Sequence, residues 1–85
     1  MDARAIVASF TTGGLGAGLM QFVMQVDFCF DSGGAVREEV TAQWNITDNL
    51  ATISSKCATA VRAYATGKGW TVPANHLLMP SFSKA

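Results

Sequence analysis

The side chains that could do chemistry are few, and their spacing says what each can support. His76 is the single histidine in 85 residues, with Ser, Thr and Asp scattered along the chain rather than placed beside it. A general base needs a positioned partner, so a histidine between Asn75 and Leu77 reads as a loop or packing residue. Glu38 and Glu39 are adjacent. On an extended strand neighbouring side chains point to opposite faces, which removes them as a carboxylate pair. Cys29 and Cys57 have no CxxC spacing, no histidine nearby in sequence and no third ligand, and so read as free, small hydrophobes rather than a metal or redox site. The run Gly13-Gly14-Leu15-Gly16-Ala17-Gly18 invites comparison with a phosphate-cradling loop. A dinucleotide fingerprint needs G-x-G-x-x-G opening a helix; here the third glycine comes one place early, a strand follows, and no Lys-Ser/Thr is present for a P-loop. No catalytic, cofactor-binding or metal residue is assigned, and enzyme activity is not expected.

Composition narrows the remaining classes. Apolar residues make up 49% of the chain and charged residues 14%, against roughly 25% charged in an average soluble protein. This is more apolar surface than one small core consumes, in a single domain (1–85) of a size at which oligomerisation commonly supplements the core. The net charge is zero, which gives no electrostatic footprint for nucleic acid or an anionic membrane. Residues 1–48 nevertheless hold all six acids against two bases, and residues 49–85 hold four bases and no acid. That asymmetry fits either internal pairing between a helix and the strands beneath it or head-to-tail docking between copies. Residues 5–26 carry no charge over 22 positions, a length that could cross a bilayer. Four glycines within six residues, two Gln, two Thr and a Ser argue against a spanning helix, as does an alternation that continues to Phe30. Asp2 and Arg4 cancel, and no long leucine-rich run precedes an A-x-A site, so a secretory signal is not expected and the sequon Asn45-Ile46-Thr47 carries no meaning.

The elements follow from periodicity. Ile6, Ala8 and Phe10 alternate with Val7, Ser9 and Thr11, predicting a short first strand over 5–12; with the glycine loop it makes residues 1–18 an N-terminal arm and hinge. In QFVMQVDFCF, residues 21–30, Phe22, Met24, Val26, Phe28 and Phe30 recur at every second position, a strand with one apolar face that begins at Leu19. Asp31-Ser32-Gly33-Gly34 supplies turn chemistry. Val40, Ala42, Trp44 and Ile46 then alternate with polar residues in a returning strand, 36–46, antiparallel to the one before. Thr47 or Asp48 caps a helix over 48–66 whose apolar side is Leu50, Ile53, Cys57, Ala60, Val61 and Tyr64, closed by a left-handed Gly67. Trp70-Thr71-Val72 and residues 76–79 form a last strand broken by Pro73. The fold class is α+β: an antiparallel sheet in the order β-β-β-α-β with one helix on one face. Cys29 and Cys57 then lie on opposite sides of the sheet.

If the helix fills the large face of residues 21–30, the apolar ends need other cover. Ile6, Phe10, Leu15, Leu77, Leu78, Met79 and Phe82 are the interface candidates, with residues 77–85 as a C-terminal tail. Trp44, Tyr64, Trp70 and Phe82, without interleaved Lys or Arg, read as core or interface rather than a stacking platform. Two other readings stay open: a cytoplasmic homo-oligomeric module holding a small apolar ligand against Met20, Met24 and Met79, and a membrane-inserted protein using residues 5–26.

Residues 47–82, TDNLATISSKCATAVRAYATGKGWTVPANHLLMPSF, present a capped Ala-rich helix, a K-G-aromatic exit and an extended tail closing on Pro-Ser-Phe. This half of the chain resembles the ending of small bacteriophage virion proteins of the capsid-decoration or tail-completion type. The resemblance implies a structural protein located in the virion, working by surface complementarity with copies of itself or other virion proteins. It implies no catalytic residue, no cofactor, and no nucleic acid or membrane partner.

Overall fold

The computed structural model describes residues 1–83; Lys84 and Ala85, the last two residues of the expected tail, lie outside them. Strand β1 (Ala3–Gly16), β2 (Leu19–Phe30) and β3 (Ala35–Asn45) form an antiparallel meander, followed by helix α1 (Leu50–Gly67), a single 3₁₀ turn (Ala74–His76) and a short β4 (Leu77–Leu78). The result is an α+β fold with sequence order β-β-β-α-β and a mixed four-stranded sheet ordered β3-β2-β1-β4. The fourth strand runs parallel to β1, pairing Ala5 with Leu77 and Ile6 with Leu78, rather than antiparallel. The helix reverses the chain after β3, and a strand that follows such a crossover returns in the direction of β1 and β3.

β2 has the bounds its alternation predicts. Phe22, Met24, Val26 and Phe28 are wholly buried under α1, whose buried stripe is Ile53, Cys57, Val61 and Ala65. β3 contributes Val40, Ala42 and Trp44 to the same core.

β1 departs from its simple alternation. Val7 pairs with Val26, but Ser9 pairs with Gln25, so Ala8 is an extra residue in the strand. Such a bulge shifts the phase of the alternation. Ile6, opposite Asp27, therefore faces away from the helix, while Phe10, opposite Met24, faces the core. The glycine run lies within the sheet rather than in a loop: Gly13, Gly14 and Gly16 belong to β1, and Leu15 is a second bulged residue. The turn is tight because Gly16, Ala17 and Gly18 all take positive φ, 90°, 55° and 79°, the left-handed geometry that a two-residue hairpin turn requires.

The helix cap falls one residue after Asp48 and two after Thr47, the expected caps. Asp48 is already engaged, its carboxylate accepting from the Asn45 backbone N–H at 2.9 Å and pairing with Lys56, so Asn49 caps, accepting from the Thr52 N–H at 2.8 Å. At the far end Gly67 stays helical and Gly69 (φ 80°) takes the left-handed position. Two aromatic groups close the core. Phe28 and Phe30 meet Trp70 at 5.1 and 5.0 Å, with Tyr64 stacked on Phe28 at 6.0 Å. Near the β1–β2 turn, Phe22 packs on Phe10, Trp44 and Phe82 at 4.8–5.1 Å between ring centres.

Candidate functional site

The helix covers one face of the sheet and leaves the other open. On the open side β2 presents Gln21, Val23, Gln25, Asp27 and Cys29, opposite Gln43, Thr41, Glu39, Arg37 and Ala35 of β3. At its centre Arg37 grips Asp27 through Nε and one terminal nitrogen, at 2.7 and 2.8 Å. The hydrogen bond from Arg37 holds the Asp27 carboxyl below the usual carboxylate range, and the same bond raises Arg37. Cys29 belongs to this face, whereas Cys57 lies in the core; both are free thiols. Burial pushes the Cys57 thiol up to about 11, which keeps it protonated and unreactive at neutral pH.

The edge of the sheet is set by hydrogen-bond parity. Ile46 N–H donates to the Gly18 carbonyl at 2.8 Å and Phe30 N–H to the Gly34 carbonyl at 3.0 Å. In the register of this pair, even-numbered residues of β3 therefore bond to β2, and odd-numbered residues turn both backbone groups outward. At one end Asp48 answers the outward groups of Asn45, its carboxylate taking the N–H and its own N–H donating to the carbonyl at 2.8 Å. Ala35, Arg37, Glu39, Thr41 and Gln43 face outward with no strand beyond them among the described residues. Beside this edge runs a shallow groove of about 460 Å³ between Thr41, Ala42 and Gln43 on the strand and Ser55, Lys56, Thr59 and Ala63 on the flank of α1.

The interface candidates do not form one patch. Phe82 is 6% exposed and packs on Phe10 at 4.9 Å and on Phe22 at 5.1 Å, so the tail covers its own core rather than awaiting another chain. Phe10, Leu77 and Met79 are partly buried against the same core. Ile6 and Leu78 are register neighbours at the far side of the sheet, and Leu78 is 51% exposed. Leu15 stands out from the hairpin tip. Its end of the molecule also exposes Ile46 and Leu50, which the hydrophobic pattern had assigned to the interior.

His76 closes the 3₁₀ turn, its N–H donating to the Pro73 carbonyl at 2.9 Å, while its Nδ1 is buried without a partner. Glu38 and Glu39 do point to opposite faces, opposite Val26 and Gln25. Burial, and after it the Glu38 carboxylate, raises the Tyr64 hydroxyl. Met24 is wholly buried in the core, Met20 and Met79 are partly buried against it, and the groove beside β3 is lined by other residues. Residues 5–26 form two strands and a turn, and among the described residues no helix is long and apolar enough to cross a membrane. No group of three or more His, Cys, Asp or Glu that could hold a metal occurs among the described residues. The acid-rich and base-rich halves meet at Asp48 and Lys56. The edge and groove of β3 went unread in the sequence; the signal for them was the direct passage from β3 into a helix, which leaves one side of that strand without a sequence neighbour. Searched against protein-family models, curated proteins and solved structures, the chain matches none.

Proposed function

We propose that this chain is a non-enzymatic structural subunit that works by docking onto other protein chains, as a component of a virion or a similar assembly. The observation that carries the reading is the free edge of β3: an 11-residue strand with no proline and an unbroken register to β2, whose outward backbone groups from Ala35 to Gln43 have no strand to bond among the described residues. Edge strands are ordinarily blunted by prolines, bulges, charged side chains or short length, because an open edge recruits another strand; β3 carries charges only at Arg37, Glu38 and Glu39 and none of the other devices. The virion location rests on the resemblance of residues 47–82 to the endings of small phage virion proteins. Sedimentation velocity of the purified chain from micromolar to millimolar concentration, with electron micrographs of the associated fraction, tests the reading. Discrete assemblies of repeated subunits are expected. A monomer throughout that range overturns it.

A further inference from the structure

We infer that the free edge of β3 pairs with β3 of a second copy, antiparallel about a two-fold axis at Val40, joining two sheets into one continuous sheet with both helices on the same face. The inference rests on the assembly reading and names its partner and register.

A strand edge is self-complementary when paired antiparallel, because its outward N–H and C=O groups meet the same sequence of groups reversed. Only a few registers bring outward residues together. Centring the axis on Glu38 or Glu39 sets that glutamate directly against its own copy, and like charges directly opposite are destabilising. Centring on Val40 leaves Asn45, whose backbone groups are already held by Asp48, at the last position of the ladder opposite Ala35, whereas an axis at Thr41 or Ala42 carries it inward, opposite Arg37 or Glu39. Centred on Val40, Arg37 meets Gln43 and Glu39 meets Thr41 in hydrogen-bonded pairs, with no glutamate directly facing another.

Three features of the single chain fit this arrangement. Glu38 of the second copy falls opposite Ala42, on the helix side, where Lys56, which also pairs with Asp48, lines the groove and no acid does. Val36, 38% exposed on that same side, falls opposite Trp44 of the second copy and gains cover. The helix flank beside the edge carries Ser55, Thr59 and Ala63 at four-residue steps, small enough for two helices to approach to about 8–10 Å between axes. Arg37 does not obstruct the approach, since Asp27 holds it back over its own sheet.

The test uses two variants. Thr41→Pro removes an outward N–H that makes no bond to β2 and sets a proline ring in the new ladder; circular dichroism and the thermal midpoint report whether the fold is kept. Val40→Cys, in a Cys29→Ser background, places two cysteines across the axis in a non-hydrogen-bonded pair about 4.5 Å apart between Cα atoms, within reach of a disulfide; Ala42→Cys, which faces Glu38 instead, is its control. The expected result is an associated wild type, a folded Thr41→Pro chain that sediments as monomer, and a covalent dimer on mild oxidation of Val40→Cys but not of Ala42→Cys. A folded Thr41→Pro chain that associates as the wild type does, or an associated Val40→Cys chain that fails to cross-link, overturns the pairing and leaves the assembly reading standing on other surfaces. A wild type that stays monomeric overturns both.

Discussion

On β2 the side chains of Phe22, Met24, Val26 and Phe28 are wholly buried, whereas Val23, Gln25, Asp27 and Cys29, set between them, keep part of their surface exposed. Both sets belong to one strand with the same two neighbours. The difference lies in what lies above each face: α1, the tail and two aromatic groups on one side, and none of the described residues on the other. Stability is therefore expected to reside on the helix face, and the open face and free edge remain available for contacts with other chains. That division can be broken by substitutions paired across it.

The largest contrast is at adjacent residues of β3. Trp44 is buried against Phe22 while Gln43 points to the open side, so Trp44→Ala should cost about 3–5 kcal/mol, as for other buried large aromatics. Gln43→Ala should leave the urea midpoint nearly unchanged. Equal losses from the two would mean that the faces have been assigned to the wrong residues.

Phe82 sharpens the comparison because it comes from the end of the chain. Terminal segments usually add little to a core, but this ring lies on Phe10 and Phe22, and Phe82→Ala should cost about 3 kcal/mol. Chemical denaturation of the variant checks this. A loss near zero would return the tail to the role of a free docking arm.

The two thiols divide in the same way. The folded state holds the Cys57 proton up to about pH 11, whereas an unfolded chain releases it near 9.0. A pKa raised on folding contributes stability that is whole below the unfolded value and is lost as pH rises through the folded one. Over that window Cys57 should remove about 2–3 kcal/mol, and Cys57→Ala should flatten this part of the stability curve. Cys29→Ser, on the open face, should leave the midpoint at pH 7 nearly unchanged. Denaturation midpoints at pH 8, 9, 10 and 11, compared as slopes, decide the matter.

These contrasts also show which parts of the structure were legible in the sequence. β2, β3 and the helix stripe follow a strict period, and each was readable because one of its faces is buried along most of its length. β1 was not, because the bulge at Ala8 exchanges its faces midway, and nothing in the alternation of Ile6, Val7, Ala8 and Ser9 marks where an extra residue enters. Glycines at 13, 14 and 16 looked like a hinge, yet a strand accepts them when its partner is as regular as β2. Hydrophobicity alone marks Phe82, Phe10, Leu77 and Met79 as interface residues; a tail that folds back onto its own hairpin absorbs such residues, and composition cannot distinguish that from burial by another chain. The β3 edge was hidden for a different reason. Its outward groups are backbone atoms, present in any strand, and become a site only through the strand order.

The smallest effect is expected at the ion pair of the open face. Arg37 and Asp27 make a two-point contact, but the arginine side chain is 57% exposed, and exposed pairs are screened by water and salt. Asp27→Asn should therefore shift the midpoint at pH 7 far less than Trp44→Ala. Its signature is instead in the acid limb. Because the Asp27 pKa is lowered in the folded state, its contribution is present above the ordinary carboxylate value and is lost as pH falls through the folded one. Wild type and Asp27→Asn should differ most near neutrality and converge in acid, with the gap narrowing in high salt. A loss in Asp27→Asn as large as that of Trp44→Ala, unchanged by salt or acid, would show that the open face holds the fold together as the helix face does, and the division between them would fail.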